Sequence, residues 1–181
     1  IHRTLRQRLR GFEVKTPGDG LWQPEWWSAP DPDPDSYFYG RQTADSSNWS
    51  QSLKKATNGA RVQLAQTLET SIKDMEDRFF EEASNNGKSI ARERWVNTTV
   101  GLTDAVLKES RVHPEIKPET IQTETGQYRS FVLMELPKSA VRDAIDEALS
   151  KDDELYTEWK HSRAREQMFD LIEQQREYQN Q

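Results

Sequence analysis

The sequence predicts an α+β fold: a long helix packed on a small antiparallel sheet, with an extended N-terminal arm and an extra C-terminal helix. Three observations predict it. Apolar residues recur at spacings of three or four from Trp49 to Phe79, the period of an amphipathic helix. Tyr37–Ala44 and Thr120–Leu136 carry aromatic and apolar runs bounded by turn formers, as strands do. Ahead of both lies Trp26–Gly40, WWSAPDPDPDSYFYG, in which each proline holds φ near -65° and keeps its predecessor out of helical space. The expected organisation is an arm and linker over 1–23, an α+β domain over 24–150 and a helical extension over 151–181.

The elements follow in order. Residues 1–10, IHRTLRQRLR, hold four arginines, Arg3, Arg6, Arg8 and Arg10, and no acid. As a helix they would set Ile1, Leu5 and Leu9 on one side, an arrangement suited to an anionic membrane surface; the competing reading is a short basic tail. Pro17-Gly18-Asp19-Gly20 marks a turn and linker. The prolines of 30–34 make the next segment extended, close to polyproline II. Its alternating aspartates do not read as a calcium loop. Counted from Asp31, the glycine and bidentate-glutamate places hold Ser36 and Gln42.

Asn48 is a helix N-cap with Gln51 as its capping partner. The stripe Trp49, Leu53, Ala56, Ala60, Leu64, Leu68, Ile72, Met75, Phe79 then runs to a stop at Asn85-Asn86-Gly87. A helix over 48–84 would be roughly 55 Å long, against a small-domain width of about 30 Å. Either it breaks near Thr70 or, the preferred expectation, its second half leaves the core to pack elsewhere. Residues 89–107 suit a helix through Ile90, Ala91, Trp95 and Val96, or a strand beginning in WVNTTVGLT. Extended segments follow near 106–116 and 120–136, with a turn or bulge at Thr125-Gly126-Gln127. FVLMEL at 131–136 fits a buried strand. Pro137 suits a first helical turn, followed by the stripe Val141, Ile145, Leu149. After Lys151 the chain favours one helix with Leu155, Trp159, Phe169 and Ile172 as its apolar points.

The chain has 181 residues, a net charge of -6, 31% charged residues and a mean hydropathy of -1.00. The acidic balance argues against nucleic acid, whose binding needs basic surface. The absence of cysteine excludes disulfides, thiolate metal sites and a cysteine nucleophile. No apolar run approaches the ~20 residues of a membrane helix. A chain opening on Ile1 leads us to expect an upstream segment, such as a signal peptide or lipid anchor, that was removed or not included. Glu158 and His161 have the i,i+3 spacing of di-iron bundles, but no second such pair exists. Hydrolase, P-loop and dinucleotide motifs are absent from the sequence. No catalytic residue, cofactor or metal site is assigned.

Pro24-Glu25-Trp26-Trp27, then Tyr37-Phe38-Tyr39-Gly40 ending at Ala44, then Ala56-x-x-x-Ala60-Arg61-x-x-Leu64-Ala65, resembles the bacterial twenty-kilodalton surface lipoprotein family of Helicobacter type. It is also similar to the N-terminal domain of the flagellar H-ring protein FlgT. The resemblance covers roughly 24–149. It departs at Gln42, where the family pattern has a second glycine, and at Gly59 within the helix. It implies a non-enzymatic, often lipid-anchored protein of the cell envelope, in the periplasm or at the outer membrane or cell surface, and brings no catalytic residues. Small Ala56, Ala60 and Ala65 would let the helix lie close to the sheet, and Arg61 would reach a carboxylate or carbonyl across its edge. Trp26 and Tyr39 are placed to cover the sheet's open side.

The expected function is therefore structural. The chain would act by protein–protein contact with itself, as a homo-oligomer, or with other envelope or assembly proteins, virion shells included. The expected contact residues are Trp22, Trp26, Trp27, Ile72, Met75, Phe79, Phe80 and Trp159. The rival reading makes Trp22, Trp26 and Trp27 a glycan or cell-wall platform.

Overall fold

The computed structural model describes residues 8–9, 12–15, 22–82 and 88–167, with 8–15, 82, 88 and 89 described through the backbone alone. The architecture is mixed α+β, with a long helix on a small antiparallel sheet and further helices C-terminal to it. Strands are β1 (Arg8–Leu9), β2 (Phe12–Lys15), β3 (Tyr37–Ser46), β4 (Arg111–Val112), β5 (Glu119–Gln122) and β6 (Tyr128–Pro137). Helices are α1 (Trp49–Glu82), α2 (Lys88–Thr99), α3 (Leu102–Val106), α4 (Lys138–Leu149) and α5 (Asp153–Lys160).

The sheet is built around β6, with β3 on one side and β5 on the other. β4 and β5 pair antiparallel with successive stretches of β6, Val112 opposite Met134 and Glu119 opposite Phe131. The β5–β6 hairpin closes on a turn in which the Gly126 amide donates to the Thr123 carbonyl at 2.9 Å. Gly126 sits at φ 79°, a left-handed conformation that glycine adopts without steric cost. Outside this core, β2 runs parallel to β5 and β1 antiparallel to β2. Arg8–Leu9 are thus extended, not helical; Arg3, Arg6 and Arg10, and the side chain of Arg8, lie outside the described residues.

Two compact units emerge, each made of three separated segments. The first comprises 1–32, 39–64 and 110–135, the second 33–38, 65–109 and 136–181. Neither coincides with the expected 24–150 span.

In the first unit, Asn48 Oδ1 caps α1 by accepting from the Ser50 and Gln51 amides. Gln51 does not complete the expected capping box; its side chain accepts from Ser46 Oγ at 3.3 Å. The buried face of α1 begins at Ser52, followed by Ala56, Ala60 and Leu64. Leu53, predicted for that stripe, is half-buried. Ser52 belongs there because its hydroxyl meets Ser130 Oγ of β6 at 2.7 Å, and Ser130 in turn meets Thr120 Oγ1 at 2.8 Å. Three buried hydroxyls thereby satisfy one another.

Small residues set the helix-to-strand distance. A Cβ at Gly40 would overlap the Ala60 carbonyl oxygen and lie 2.9 Å from Leu64 Cγ. Gly59 and Gln42 also touch: a Cβ at Gly59 would collide with the Gln42 side chain. The missing side chain at Gly59 leaves the room that Gln42 fills. Arg61, expected to reach across the sheet edge, is exposed and has no such partner among the described residues.

In the second unit, α4 packs against α2, α3 and α5. Its stripe Val141, Ile145, Leu149 is buried. Residues 88–99 and 102–106 resolve as helices, with the hydroxyls of Thr98 and Thr99 bonded back to the carbonyls of Arg94 and Trp95. The expected single C-terminal helix is interrupted: α5 stops at Lys160 and residues 163–167 restart it. Ser162 Oγ accepts from the Arg165 amide at 3.2 Å, an N-cap for the restart. Phe169 and Ile172 lie outside the described residues.

Candidate interaction surfaces

In the first unit one side chain makes four hydrogen bonds to the proline-rich arm. Arg41 Nη1 donates to the carbonyls of Trp26 (3.2 Å), Trp27 (2.8 Å) and Ala29 (2.7 Å), and Nη2 to Asp31 Oδ1 (2.7 Å). A planar guanidinium can meet several acceptors at fixed angles, which a lysine cannot. So fastened, the arm lays Trp22 and Trp27 edge-on against Phe131, at 5.9 and 5.1 Å between ring centroids. Trp26 packs against Trp27 and donates its indole N–H to Glu119 Oε1 at 3.2 Å. All three indoles are half-buried. They cover the face of β6 opposite α1, since Ser130 and Phe131 point to opposite sides of the strand. Tyr39 stacks on His113 at 6.2 Å.

His113 is buried. Its Nδ1 accepts from the amides of Glu115 and Ile116, and its Nε2 lies 3.6 Å from Glu135 Oε2. Arg111, across the strand pair, takes the other Glu135 oxygen at 2.7 Å. On the exposed side Asp45 forms two 2.7 Å bonds with Arg129. These bonds hold the Asp45 carboxyl below its usual range and push the guanidinium upward.

In the second unit, four rings form one cluster. Phe79 lies 4.9 Å from Phe80, 5.3 Å from Trp95 and 5.8 Å from Trp159. Trp159 donates its indole N–H to Asp146 Oδ1 at 2.8 Å, and Arg165 closes on the same carboxylate at 3.0 Å. Asp152 caps α5 through the Leu155 amide. It also receives Arg94, whose bonds lower the aspartate's pKa and raise that of the guanidinium.

This cluster corrects the expected contact set. Met75, Phe79, Phe80 and Trp159 are buried by their own chain, so they are not open to a partner. Met75 lines a recess of about 210 Å³ with Phe38, Arg78 and Lys138. Of the four helical positions expected to face outward on α1, Ile72 alone is half-exposed.

Ile72 stands in a groove of about 350 Å³ that sequence reasoning did not find. Its apolar lining adds Val96 and Val100, which are 48% and 75% exposed. Ile90, on the same helix as Val96, is 65% exposed. The one sequence signal was the presence of Val96 and Val100 in the ambiguous 89–107 stretch. Around the groove stand Glu69, Lys73, Glu76, Asp77 and Arg92. Arg92 is engaged: it lies 3.6 Å from Glu76, 3.2 Å from Asp77 and 5.1 Å above the Phe80 ring. Desolvation raises the Glu76 pKa, with Arg92 opposing.

Among the described residues no group of three histidine, aspartate or glutamate side chains is placed to hold a metal ion. No helix there is long and apolar enough to cross a membrane. Comparison with family models, curated proteins and solved structures finds no match.

Proposed function

We propose that this chain is a non-enzymatic structural or assembly protein acting through protein–protein contact, in the bacterial envelope or another large extracellular assembly. The envelope setting rests on the resemblance of the Pro-Glu-Trp, Tyr-x-Tyr-Gly and Ala-Arg-x-x-Leu-Ala segments to the surface lipoprotein family. The contact reading rests on one observation: Val96 and Val100 stand exposed beside Ile72 in a groove on an otherwise charged pair of helices. Such a patch is the surface feature that partners cover. The tryptophan arm supports the glycan reading less well, because its rings and one indole N–H are engaged within the chain.

A photo-reactive amino acid at Val100, with Val62 as a second exposed position, tests this in the producing cell. The expected result is a discrete protein adduct from Val100. No protein adduct at either position, together with a tryptophan fluorescence shift on adding peptidoglycan fragments, would overturn the contact reading in favour of the glycan platform.

A further inference from the structure

We infer that the α1–α2 groove is a self-contact, and that its occupant is a second copy of this chain related by a twofold axis. The inference rests on the assembly reading and names its partner. An isologous contact places one patch against itself, so the patch must be its own complement. A patch of one charge sign fails that requirement. This groove meets it through Glu69 and Lys73, which bracket Ile72 on α1. Neither forms an ion pair among the described residues, Lys73 acting on Glu76 only through its longer-range field, whereas Arg92 pairs with both Glu76 and Asp77.

The geometry follows from helix dimensions. Residues 69 and 73 are about 6 Å apart along the axis at 1.5 Å per residue. Two antiparallel α1 helices whose dyad passes midway between these positions set each Glu69 opposite the other copy's Lys73. Ile72 of both copies then lies between the two charge pairs, with Val96 and Val100 lining the same groove. The contact is expected to depend on concentration, as a small reversible self-contact does.

The test is sedimentation equilibrium on the whole chain, with circular dichroism as the check on folding. Wild type is expected to move from the 21.1 kDa monomer toward twice that mass as concentration rises. Val100→Asp, at an exposed position, should weaken the dimer about tenfold or more. Glu69→Lys and Lys73→Glu should each weaken it by about tenfold, and the double variant should return to within about threefold of wild type. Mixing the two single variants should give a heterodimer tighter than either homodimer, which a purely structural effect of the substitutions would not produce. Self-association that none of these variants moves would overturn the groove as the self-contact and leave the assembly reading standing. A wild type that stays monomeric to millimolar concentration, while the Val100 photo-adduct contains a different protein, would overturn the self-contact alone. A double variant no better than the singles would refute the Glu69–Lys73 pairing, and with it the proposed twofold.

Discussion

At the scale of the residue, Gly40, Gly59 and Arg41 explain why the arm, strand and helix of the first unit meet as they do. Gly40 lets α1 pass against β3, because any Cβ there runs into backbone that cannot swing away. Gly40→Ala is expected to cost about 2–3 kcal/mol, as overpacked cores do, read as a lower denaturation midpoint at unchanged m-value. Gly59 is different, since its obstacle is a flexible Gln42 side chain. Gly59→Ala gains about 1 kcal/mol of helix propensity but crowds Gln42. In a double-mutant cycle, the substitution should stabilise the Gln42→Ala background and fail to stabilise wild type, with coupling of about 1 kcal/mol. Equal effects in both backgrounds would refute the coupling of Gly59 to Gln42. Arg41→Lys should release the arm, giving a red-shifted tryptophan emission and faster proteolysis between Trp27 and Tyr37. Asp31→Ala should do much less, because its ion pair is partly exposed. None of this was readable in advance. The sequence drew attention to Arg61, but which arginine reaches a carbonyl depends on where the chain returns, and that is not a local property.

At the scale of the element, legibility tracked periodicity. α1 showed its 3.6-residue stripe and β6 its apolar run, and Ser130–Leu136 are indeed buried without a break. Where period and propensity disagreed, tertiary contact decided. The β-branched 95–99 stretch is helical, with Trp95 in the ring cluster and the threonine hydroxyls bonded back to the helix's own carbonyls. The break after α5 has no glycine or proline to mark it; a single serine hydroxyl, that of Ser162, caps the restart. The ring cluster itself was legible as residues but not as a role. Phe79 and Phe80 look like an unpartnered ridge until Trp95 and Trp159 are folded over them. At α5, Asp152→Ala removes the cap and the Arg94 partner together and should cost about 1–2 kcal/mol. Asp152→Asn keeps an N-cap acceptor and should recover roughly half of that in chemical denaturation.

For the whole molecule, pH is the informative variable. Asp45 and Asp152 carry carboxyl pKa values lowered chiefly by hydrogen bonds from Arg129 and Arg94. A group depressed on folding stabilises the native state above its unfolded pKa, and that contribution is lost as pH falls through the folded value. The loss therefore falls below about pH 4, the ordinary aspartate value. Glu76 acts in the opposite sense: desolvation raises its pKa, so protonation relieves a cost of folding. With two depressed groups against one raised, Tm should drop on acidification below pH 4, and the Asp45→Asn/Asp152→Asn pair should flatten that drop. A Tm that is level from pH 5 to pH 2.5 in the wild type would contradict the assignment. The interleaving of the two units has a consequence for birth at the ribosome. The first core needs residues as late as Glu135, and the aromatic cluster needs Trp159. Phe79 and Phe80 therefore emerge long before the ring that shields them, and during each round of synthesis the nascent chain must carry these two phenylalanines uncovered, a natural target for a holding chaperone.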